Sequence, residues 1–300
     1  MTAVLVEEGP DKGAIWHFGQ PAQEQRALAE GKAWADLSHL SIIAVTGDDR
    51  IKWLHDLTTQ HLLNIAAGDW LPAMILDHNG HVEYQFNVVD DGTTTFIVID
   101  PSYAEGLLAY LLKMRFMLKV DARDATSEFS VLRAPGAATE IGGPYALVPR
   151  AELDSMKQVF NENAREVGTW SLDAERVAAG RPRHGVDTDH KTIPNELGVL
   201  NKEVHMNKGC YRGQETVARV YNLGKPPRRI VQLELDGSTN DLPAIGDAVL
   251  FDGKEVGRVT SVTQDYESGP LALAVIKRSV PTDAVLTAGT VAASQTVIVE

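Results

Sequence analysis

The first 115 residues alternate between short runs of branched or aromatic residues and stretches with apolar residues at helical spacing. After a helix predicted over residues 21–34, the pattern predicts one strand, a short helix that begins after Asp48, three strands and a further helix. The predicted strands cover residues 41–45, 71–76, 81–89 and 93–99. Asp48 is the expected N-cap of the short helix.

Two dipeptides predict how the three consecutive strands connect. Asn79-Gly80 and Asp91-Gly92 suit tight hairpin turns because both positions of each dipeptide tolerate positive φ. Asp100-Pro101 then predicts a cap and a first helical residue, for a helix that runs to about Arg115. We therefore expect an α+β unit in which helices cover one face of an antiparallel sheet.

The pattern changes again in the second half of the chain. Strands are predicted at residues 129–132 and 145–148, helices at 151–166 and 172–179, and an irregular charged segment up to residue 199. After Pro227, short strands recur at even spacing, which predicts a small β-barrel or sandwich. These strands cover residues 230–235, 248–251, 255–263, 271–276 and 290–299. The predicted domains are residues 1–226, with two interleaved α+β subdomains, one of roughly residues 47–125, and residues 227–300.

Charge and cysteine content narrow the functional classes. A net charge of -13 opposes nonspecific binding to nucleic acid or to anionic membranes, so neither is an expected partner. One cysteine excludes an intramolecular disulfide and a self-contained cysteine cluster, so no stably bound metal is expected. The N-terminus does not resemble a signal peptide, and no apolar run would span a membrane, which predicts a cytoplasmic protein.

The single cysteine lies in the stretch Lys208-Gly209-Cys210-Tyr211-Arg212-Gly213-Gln214-Glu215. Apolar spacing after Gly213 predicts a helix that ends at a left-handed Gly224, which places Cys210 at or just before a helix N-terminus. Unpaired N–H groups there, with Lys208 and Arg212 nearby, would favour the thiolate. The alternative is that Cys210 is a small buried hydrophobic residue.

Two further clusters remain open to two interpretations each. Seven cations in the middle of an acidic chain could bind a small polyanion, or they could be scattered surface charges; they are Arg176, Arg181, Arg183, Arg219, Lys225, Arg228 and Arg229. Four residues of the charged loop could ligate a metal or could simply be solvated; they are His184, Asp187, Asp189 and His190. No serine elbow or phosphate loop accompanies the histidines, so triad chemistry is unsupported.

The octapeptide around Cys210 resembles the signature of the YgfZ family, folate-binding proteins of iron-sulfur cluster maintenance with mitochondrial counterparts. Three further elements resemble this family and the related T-protein, the aminomethyltransferase of the glycine cleavage system; they are Asp36-Leu37-Ser38-His39, Gly47-Asp48-Asp49 with Trp53-Leu54, and Thr192-Ile193-Pro194-Asn195-Glu196-Leu197-Gly198. The resemblance covers nearly the whole chain. It implies an α+β fold of three small domains in a ring, with tetrahydrofolate near the centre and a C-terminal β-barrel.

From the resemblance and the local chemistry we expect Cys210 to be the reactive thiolate, assisted by Lys208 and Arg212. The expected contacts of tetrahydrofolate, or of a one-carbon derivative, are Arg176, Arg183, Glu196, Tyr211, Gly213, Gln214 and Arg228. The glutamate tail of the folate would lie toward the arginines.

The sequence departs from T-proteins at two acids. T-proteins carry an aspartate thought to act in aminomethyl transfer on the strand after the Asn-Gly turn, where Glu83 is the only nearby acid in this chain. A second T-protein acid, which holds pterin N–H donors, is replaced by Ala178. Losing such a charge-assisted hydrogen bond removes about 1.5–3 kcal/mol.

Three functional hypotheses follow. The first is a tetrahydrofolate-binding accessory protein that assists assembly or repair of iron-sulfur clusters, with iron-sulfur client or assembly proteins as partners. The second is a folate-dependent aminomethyltransferase, which requires a correctly placed acid such as Glu83. The third is a non-catalytic interaction protein with a relic pocket.

Overall fold

The computed structural model describes residues 2–136, 144–238 and 241–299. They form an α+β fold with largely antiparallel sheets and a C-terminal six-stranded barrel, which confirms the predicted fold class. The chain divides into two compact units. Unit 1 comprises Met1–Ile75, Tyr84–Ser171 and Asn201–Tyr211, and unit 2 comprises Leu76–Glu83, Leu172–Leu200 and Arg212–Glu300. The domain boundary at residue 227 stays a prediction.

The predicted meander belongs to a five-stranded sheet. Its strands are β4 (Ser41–Thr46), β5 (Trp70–Leu76), β6 (Val82–Asp90), β7 (Thr94–Ile99) and β8 (Asp121–Asp124), in the order β5-β6-β7-β4-β8. The β6–β7, β7–β4 and β4–β8 pairs are antiparallel. Gly80 and Gly92 have φ of 86° and 95°, whereas Asn79 and Asp91 do not have positive φ, so each turn uses positive φ at its glycine and not at both predicted positions.

Two helices, α2 (Arg50–Leu57) and α3 (Pro101–Lys113), share one apolar core with this sheet. Trp53 and Leu107 are buried there, and the indole Nε1 of Trp53 donates to the carbonyl oxygen of Met114 at 3.0 Å. The predicted cap of α2 is wrong. Asp49, not Asp48, precedes the helix, and the Asp49 carboxylate instead accepts a hydrogen bond from the main-chain N–H of Lys119.

A second sheet corrects two predicted helices. It contains β3 (Ala33–Asp36), β9 (Phe129–Arg133), β10 (Tyr145–Pro149) and β11 (Arg165–Glu166), in the order β10-β9-β3-β11. The helix predicted over residues 21–34 ends early, as α1 (Pro21–Ala29), because Gly31 adopts φ of 70°. Trp34 lies in β3, fully buried, with its Nε1 donating to Asn161 Oδ1 at 3.0 Å.

The predicted helix over residues 151–166 is likewise shorter, with a 3₁₀ turn at Arg150–Glu152, α4 (Leu153–Asn161) and then β11. The remaining elements are a hairpin of β1 (Val4–Leu5) and β2 (Ile15–His17), α5 (Thr169–Ala178), a 3₁₀ turn at Pro194–Glu196 and α6 (Gln214–Leu223). Gly224, the predicted left-handed cap of α6, is extended, with φ of -151°. No helix within the described residues is long and apolar enough to cross a membrane.

The C-terminal strands close into a barrel rather than a sandwich. They are β12 (Arg228–Leu235), β13 (Ala248–Phe251), β14 (Lys254–Asp265), β15 (Gly269–Lys277), β16 (Leu286–Ala288) and β17 (Val291–Val297). Their order is β12-β15-β14-β13-β16-β17. Alternate residues such as Val231, Leu233 and Ala274 fill the interior. The strand β16 was not predicted, because three residues are too few to show the alternation of apolar and polar positions that indicates a strand.

Helix α5 packs on the outer face of the barrel. Val177 is fully buried with Ile230 and Leu273. The side-chain amide of Gln232 on β12 donates to the carbonyl oxygens of Val177 and Ala178, both at 2.8 Å. These contacts fix the end of α5, where Ala178 lies.

Candidate functional site

The cysteine stretch divides between the two units. Lys208 to Tyr211 close an irregular segment of unit 1, and Arg212 begins the part of unit 2 that leads into α6. Gly213 is the N-cap of α6 and Gln214 is its first residue. Cys210 is exposed, so the alternative of a buried hydrophobic cysteine is wrong.

Lys208 is buried, and its ammonium group holds main-chain carbonyls. Its Nζ donates to the carbonyl oxygens of His55, Thr58 and Gln60, the last at 3.2 Å. Burial lowers the pKa of Lys208 to about 8. The ammonium also lies 5.4 Å from the ring centre of Tyr211, a buried residue whose own burial raises the pKa of its phenol to about 12.

Three more hydrogen bonds fasten the same segment to the residues after α2. Thr59 Oγ1 donates to the carbonyl oxygen of Glu203 at 2.7 Å, and Gln60 Nε2 donates to that of Lys202 at 2.7 Å. The main-chain N–H of His205 donates to the carbonyl oxygen of Thr59 at 2.9 Å. Cys210 therefore follows a segment that unit 1 anchors at several points.

The structure corrects the physical basis of the predicted thiolate. Helix α6 begins at Gln214, four residues after Cys210, whereas a helix dipole acts mainly within the first turn. The ammonium of Lys208 is engaged with main-chain carbonyls, and the guanidinium of Arg212 is engaged with Glu83. These groups are thus not dedicated to Cys210, and its expected reactivity stays a prediction.

Arg212 and Glu83 form a two-point ion pair within unit 2. Nη1 and Nη2 of Arg212 donate to Oε2 and Oε1 of Glu83 at 3.1 and 3.2 Å, and each side chain is about one third exposed. Both oxygens of the acid proposed as a T-protein substitute are therefore occupied. A ligand that uses Glu83 has to share it with Arg212 or displace the arginine.

Gly213 meets the protein's own backbone. It has φ of 81°, and a Cβ there would lie 2.5 Å from the Asp77 carbonyl oxygen and 2.8 Å from the Gly80 Cα. A Cβ on Gly80 would lie 2.8 Å from the Thr216 Cβ. The predicted turn at Asn79-Gly80 thus packs directly on the start of α6, and this contact explains why residue 213 is glycine without invoking a ligand.

Two of the three arginines predicted to bind folate already hold carboxylates of unit 2 through their guanidinium groups. Arg228 donates to both oxygens of Glu196, at 3.0 and 2.8 Å, and to Asp189 at 2.6 Å. Hydrogen bonding by Arg228 holds the pKa of Asp189 well below its usual range. Arg176 donates to Asp187 at 2.8 Å. Glu196 itself is buried, so it acts here as a partner of Arg228.

The charged loop owes its order to these pairs. Asp187 is fully buried, and its oxygens accept hydrogen bonds from Thr260, from Ser261 and from the main-chain N–H of Arg183. Among the described residues, no group of three or more His, Cys, Asp or Glu side chains is arranged to hold a metal ion. The alternative of a metal site in this loop therefore has no support from the geometry.

Glu203 is a candidate that sequence reasoning missed. Burial raises the pKa of its carboxyl to about 7, and Gln85 Nε2 donates to Glu203 Oε2 at 2.8 Å. Gln85 lies on β6 two residues after Glu83, so both project from the same face of that strand. An acid with a strongly shifted pKa is a functional candidate. Only its nearness in sequence to Cys210 could have indicated it.

Histidines line the same part of unit 1. The ring centres of His55 and His61 are 4.9 Å apart, and those of His61 and His205 are 5.2 Å apart. Burial, with the nearby charge of Lys208, lowers the pKa of His55 to about 4. His55 is therefore neutral at physiological pH, and its Nδ1 accepts a hydrogen bond from the main-chain N–H of Leu62 at 3.2 Å.

No family model matches the sequence. Two curated relatives are each 24% identical to the chain over 309 residues. One is a protein of Arabidopsis thaliana that carries the name putative transferase, chloroplastic; the match covers 89% of this chain and 70% of that protein. The other is an aminomethyltransferase of Rippkaea orientalis (strain PCC 8801 / RF-1), with 87% and 83% covered.

A solved structure gives the fold. The chain matches the crystal structure of glycine cleavage system aminomethyltransferase T from Bartonella henselae with a TM-score of 0.81 and 17% sequence identity, over 98% of this chain and 92% of that one. The chain thus has the aminomethyltransferase fold, as the T-protein part of the resemblance implied. The closer resemblance to the YgfZ family stays a prediction.

We expect Gly213→Ala to lower the free energy of unfolding by at least about 2 kcal/mol. The new Cβ would be forced into positive φ and against the backbone of Asp77 and Gly80. Urea denaturation measures the loss. Gly209→Ala is the matched control, since a Cβ at Gly209 meets nothing within 4 Å; equal losses in the two variants would contradict the packing argument.

We expect Lys208→Met to lower the free energy of unfolding by about 2 kcal/mol. The substitution leaves three carbonyl oxygens without their donor, and the desolvation of the ammonium, visible in its lowered pKa, offsets part of that effect. Thermal and urea denaturation would measure it beside Lys202→Met, an exposed lysine of the same segment. A Lys208 variant as stable as the Lys202 variant would show that the carbonyl contacts contribute nothing.

We expect Glu203→Gln to stabilise the protein at pH 8 and to have little effect at pH 5. The folded-state pKa of Glu203 is raised from 4.5 to about 7, so its stability contribution is present below pH 4.5 and is lost as the pH rises through 7. The gain at pH 8 should approach about 3 kcal/mol. Urea denaturation across this range tests it, with exposed Glu267→Gln as control; a gain that does not vary with pH would refute it.

Proposed function

We propose that this chain is a tetrahydrofolate-binding accessory protein that assists the assembly or repair of iron-sulfur clusters in client proteins, with Cys210 as its reactive thiol. The observation that carries the proposal is an exposed Cys210 at the end of an anchored segment, in a chain with the aminomethyltransferase fold. The signature around Cys210, which resembles that of the YgfZ family, supports the iron-sulfur role. The proposed compartment is the cytoplasm.

The residues present fit the pterin part of folate. A pterin offers an amino group and a ring N–H, which need an acceptor, and Ala178 supplies none. The Glu203 carboxyl, with Gln85 as its one described hydrogen-bond donor, has acceptor capacity left for such groups. Glu203 would hold the pterin donors, and Tyr211 would supply an apolar surface. The folate would supply one-carbon or redox chemistry when bound.

Cys210 would act on the cluster or its components as substrate. A thiolate can ligate iron for a short time, but one thiolate is too few for a stable cluster. The client or assembly protein would therefore supply the other ligands. Because Cys210 is exposed, a partner could reach it without a change in the fold of unit 1.

Aminomethyl transfer is the second candidate, because both the relative from Rippkaea orientalis and the matched crystal structure bear that name. Two features weigh against it in this chain. Glu83 is held at both oxygens by Arg212, and the position that resembles the T-protein pterin acid is Ala178. Release of ammonia from an aminomethyl donor in the presence of tetrahydrofolate would favour this candidate over the accessory role.

We expect the purified protein to bind tetrahydrofolate in anaerobic calorimetry and Glu203→Gln to weaken binding about fivefold to tenfold. The loss follows from replacing a charge-assisted hydrogen bond of about 1.5–3 kcal/mol by a neutral one. Cys210→Ser should bind as the native protein does. In cells that lack the native chain, however, Cys210→Ser should fail to restore the activity of iron-sulfur enzymes.

The calorimetric experiment tests the folate role, and the cellular experiment tests the role of the thiol. Absence of tetrahydrofolate binding by the native protein would remove the folate role and favour the interaction protein. Full restoration by Cys210→Ser would remove the thiol from the mechanism. Glu267→Gln, a change at an exposed acid of the barrel, serves as a control for binding.

A further inference from the structure

Three cations project from one outer face of the barrel. Arg228 on β12 lies directly opposite Lys277 on β15, and Arg258 on β14 lies opposite Val275, two residues before Lys277. Residues directly opposite each other on antiparallel strands share a face, as do positions two apart on one strand. Like charges in directly opposed positions destabilise a sheet, so this arrangement needs compensation.

Among the described residues, only one of the three cations forms ion pairs with carboxylates. Arg228 is paired with Asp189 and Glu196. Within the described part of the chain, Arg258 and Lys277 have no carboxylate partner, and the Nζ of Lys277 donates only to a main-chain carbonyl oxygen, at 3.3 Å. Two positive charges on this face thus lack an ion pair within the described residues, in a chain whose net charge is -13.

Further positive charge lies at the same end of these strands, on the side that faces the barrel interior. Arg229 is only 3% exposed, and its hydrogen bonds go to neutral acceptors, the carbonyl oxygen of Val280 and Oε1 of Gln295. Burial, together with the nearby charge of Arg278, lowers the pKa of Arg229. A buried arginine is usually paired with an acid. The positive potential at this end of the barrel is therefore stronger than the outer face alone would give.

A groove of about 460 Å³ lies between the three outward cations. Its lining is Arg228, Glu255, Val256, Gly257, Arg258, Val275, Ile276 and Lys277. Small-molecule sites have volumes of roughly 300–1,000 Å³ and combine an apolar wall with a few polar groups. Val256 and Val275 supply that wall, and the cations Arg258 and Lys277 share the lining with one acid, Glu255, while Arg228 is already paired with Asp189 and Glu196.

We propose that this groove binds a small organic anion, whose phosphate or carboxylate group pairs with Arg258 and Lys277 while its apolar part lies on Val256 and Val275. Guanidinium and ammonium groups bind both kinds of oxyanion. The net negative charge of the chain disfavours a nucleic acid or an anionic membrane as occupant. The proposal stands on unit 2 alone and does not require folate binding.

The test compares probes with and without an apolar part. Phenyl phosphate and phthalate are titrated by calorimetry at fixed ionic strength, beside inorganic phosphate, for the native protein and for Arg258→Gln/Lys277→Gln. We expect phenyl phosphate or phthalate to bind at least fivefold more tightly than inorganic phosphate, and the double variant to lose at least tenfold in affinity. Arg228 is left intact because it also holds Asp189 and Glu196.

Lys254→Gln is the matched control, an exposed lysine on β14 outside the groove lining. It should bind the probes as the native protein does. Preference for phenyl phosphate or for phthalate would identify the anionic group. Failure of the native protein to bind either organic probe at millimolar concentration, or equal affinity in the double variant, would overturn the proposal.

Discussion

A single buried ammonium group holds the segment on which the candidate site of unit 1 depends. Lys208 donates to the carbonyl oxygens of His55, Thr58 and Gln60. This one residue therefore satisfies hydrogen-bond acceptors at and just after the end of α2. The geometry explains a lysine two residues before an exposed cysteine. The ammonium fixes the path of the chain, and the thiol two residues later is left for partners.

The rest of the octapeptide obeys a different constraint. Gly213 and Gly80 approach so closely that neither can carry a side chain, and Arg212 and Glu83 pair across the same contact between the hairpin turn and the start of α6. The residues of this one sequence motif therefore have two separate structural roles. Lys208 anchors a segment of unit 1, and Gly213 and Arg212 hold the turn against α6 in unit 2. Several of its residues would be needed even if the chain bound no ligand.

The sequence predicted those features of the fold that depend on neighbouring residues alone, such as tight turns. Gly80 and Gly92 adopt positive φ between consecutive strands, so the meander could be predicted from the two glycine-containing dipeptides. Trp34 was misassigned because its apolar neighbours fit a helix, whereas burial beside Leu132 and Val148 places it in a strand. The partners of Lys208 and Arg228 could not be predicted, because they lie 150 and 32 residues away in sequence. Glu203 was missed for the same reason, since its environment comes from β6.

The distribution of carboxylates bears on whether this chain has the acids that aminomethyl transfer would need. An acid at Ala178 would lie at the end of α5, where Gln232 already binds two carbonyl oxygens. In this chain the acid with a raised pKa and spare acceptor capacity is Glu203, on the segment that also carries Cys210. If the pterin is held there, ligand recognition and the thiol belong to one anchored segment. The protonation of Glu203, whose pKa is raised to about 7, would then couple ligand binding to physiological pH.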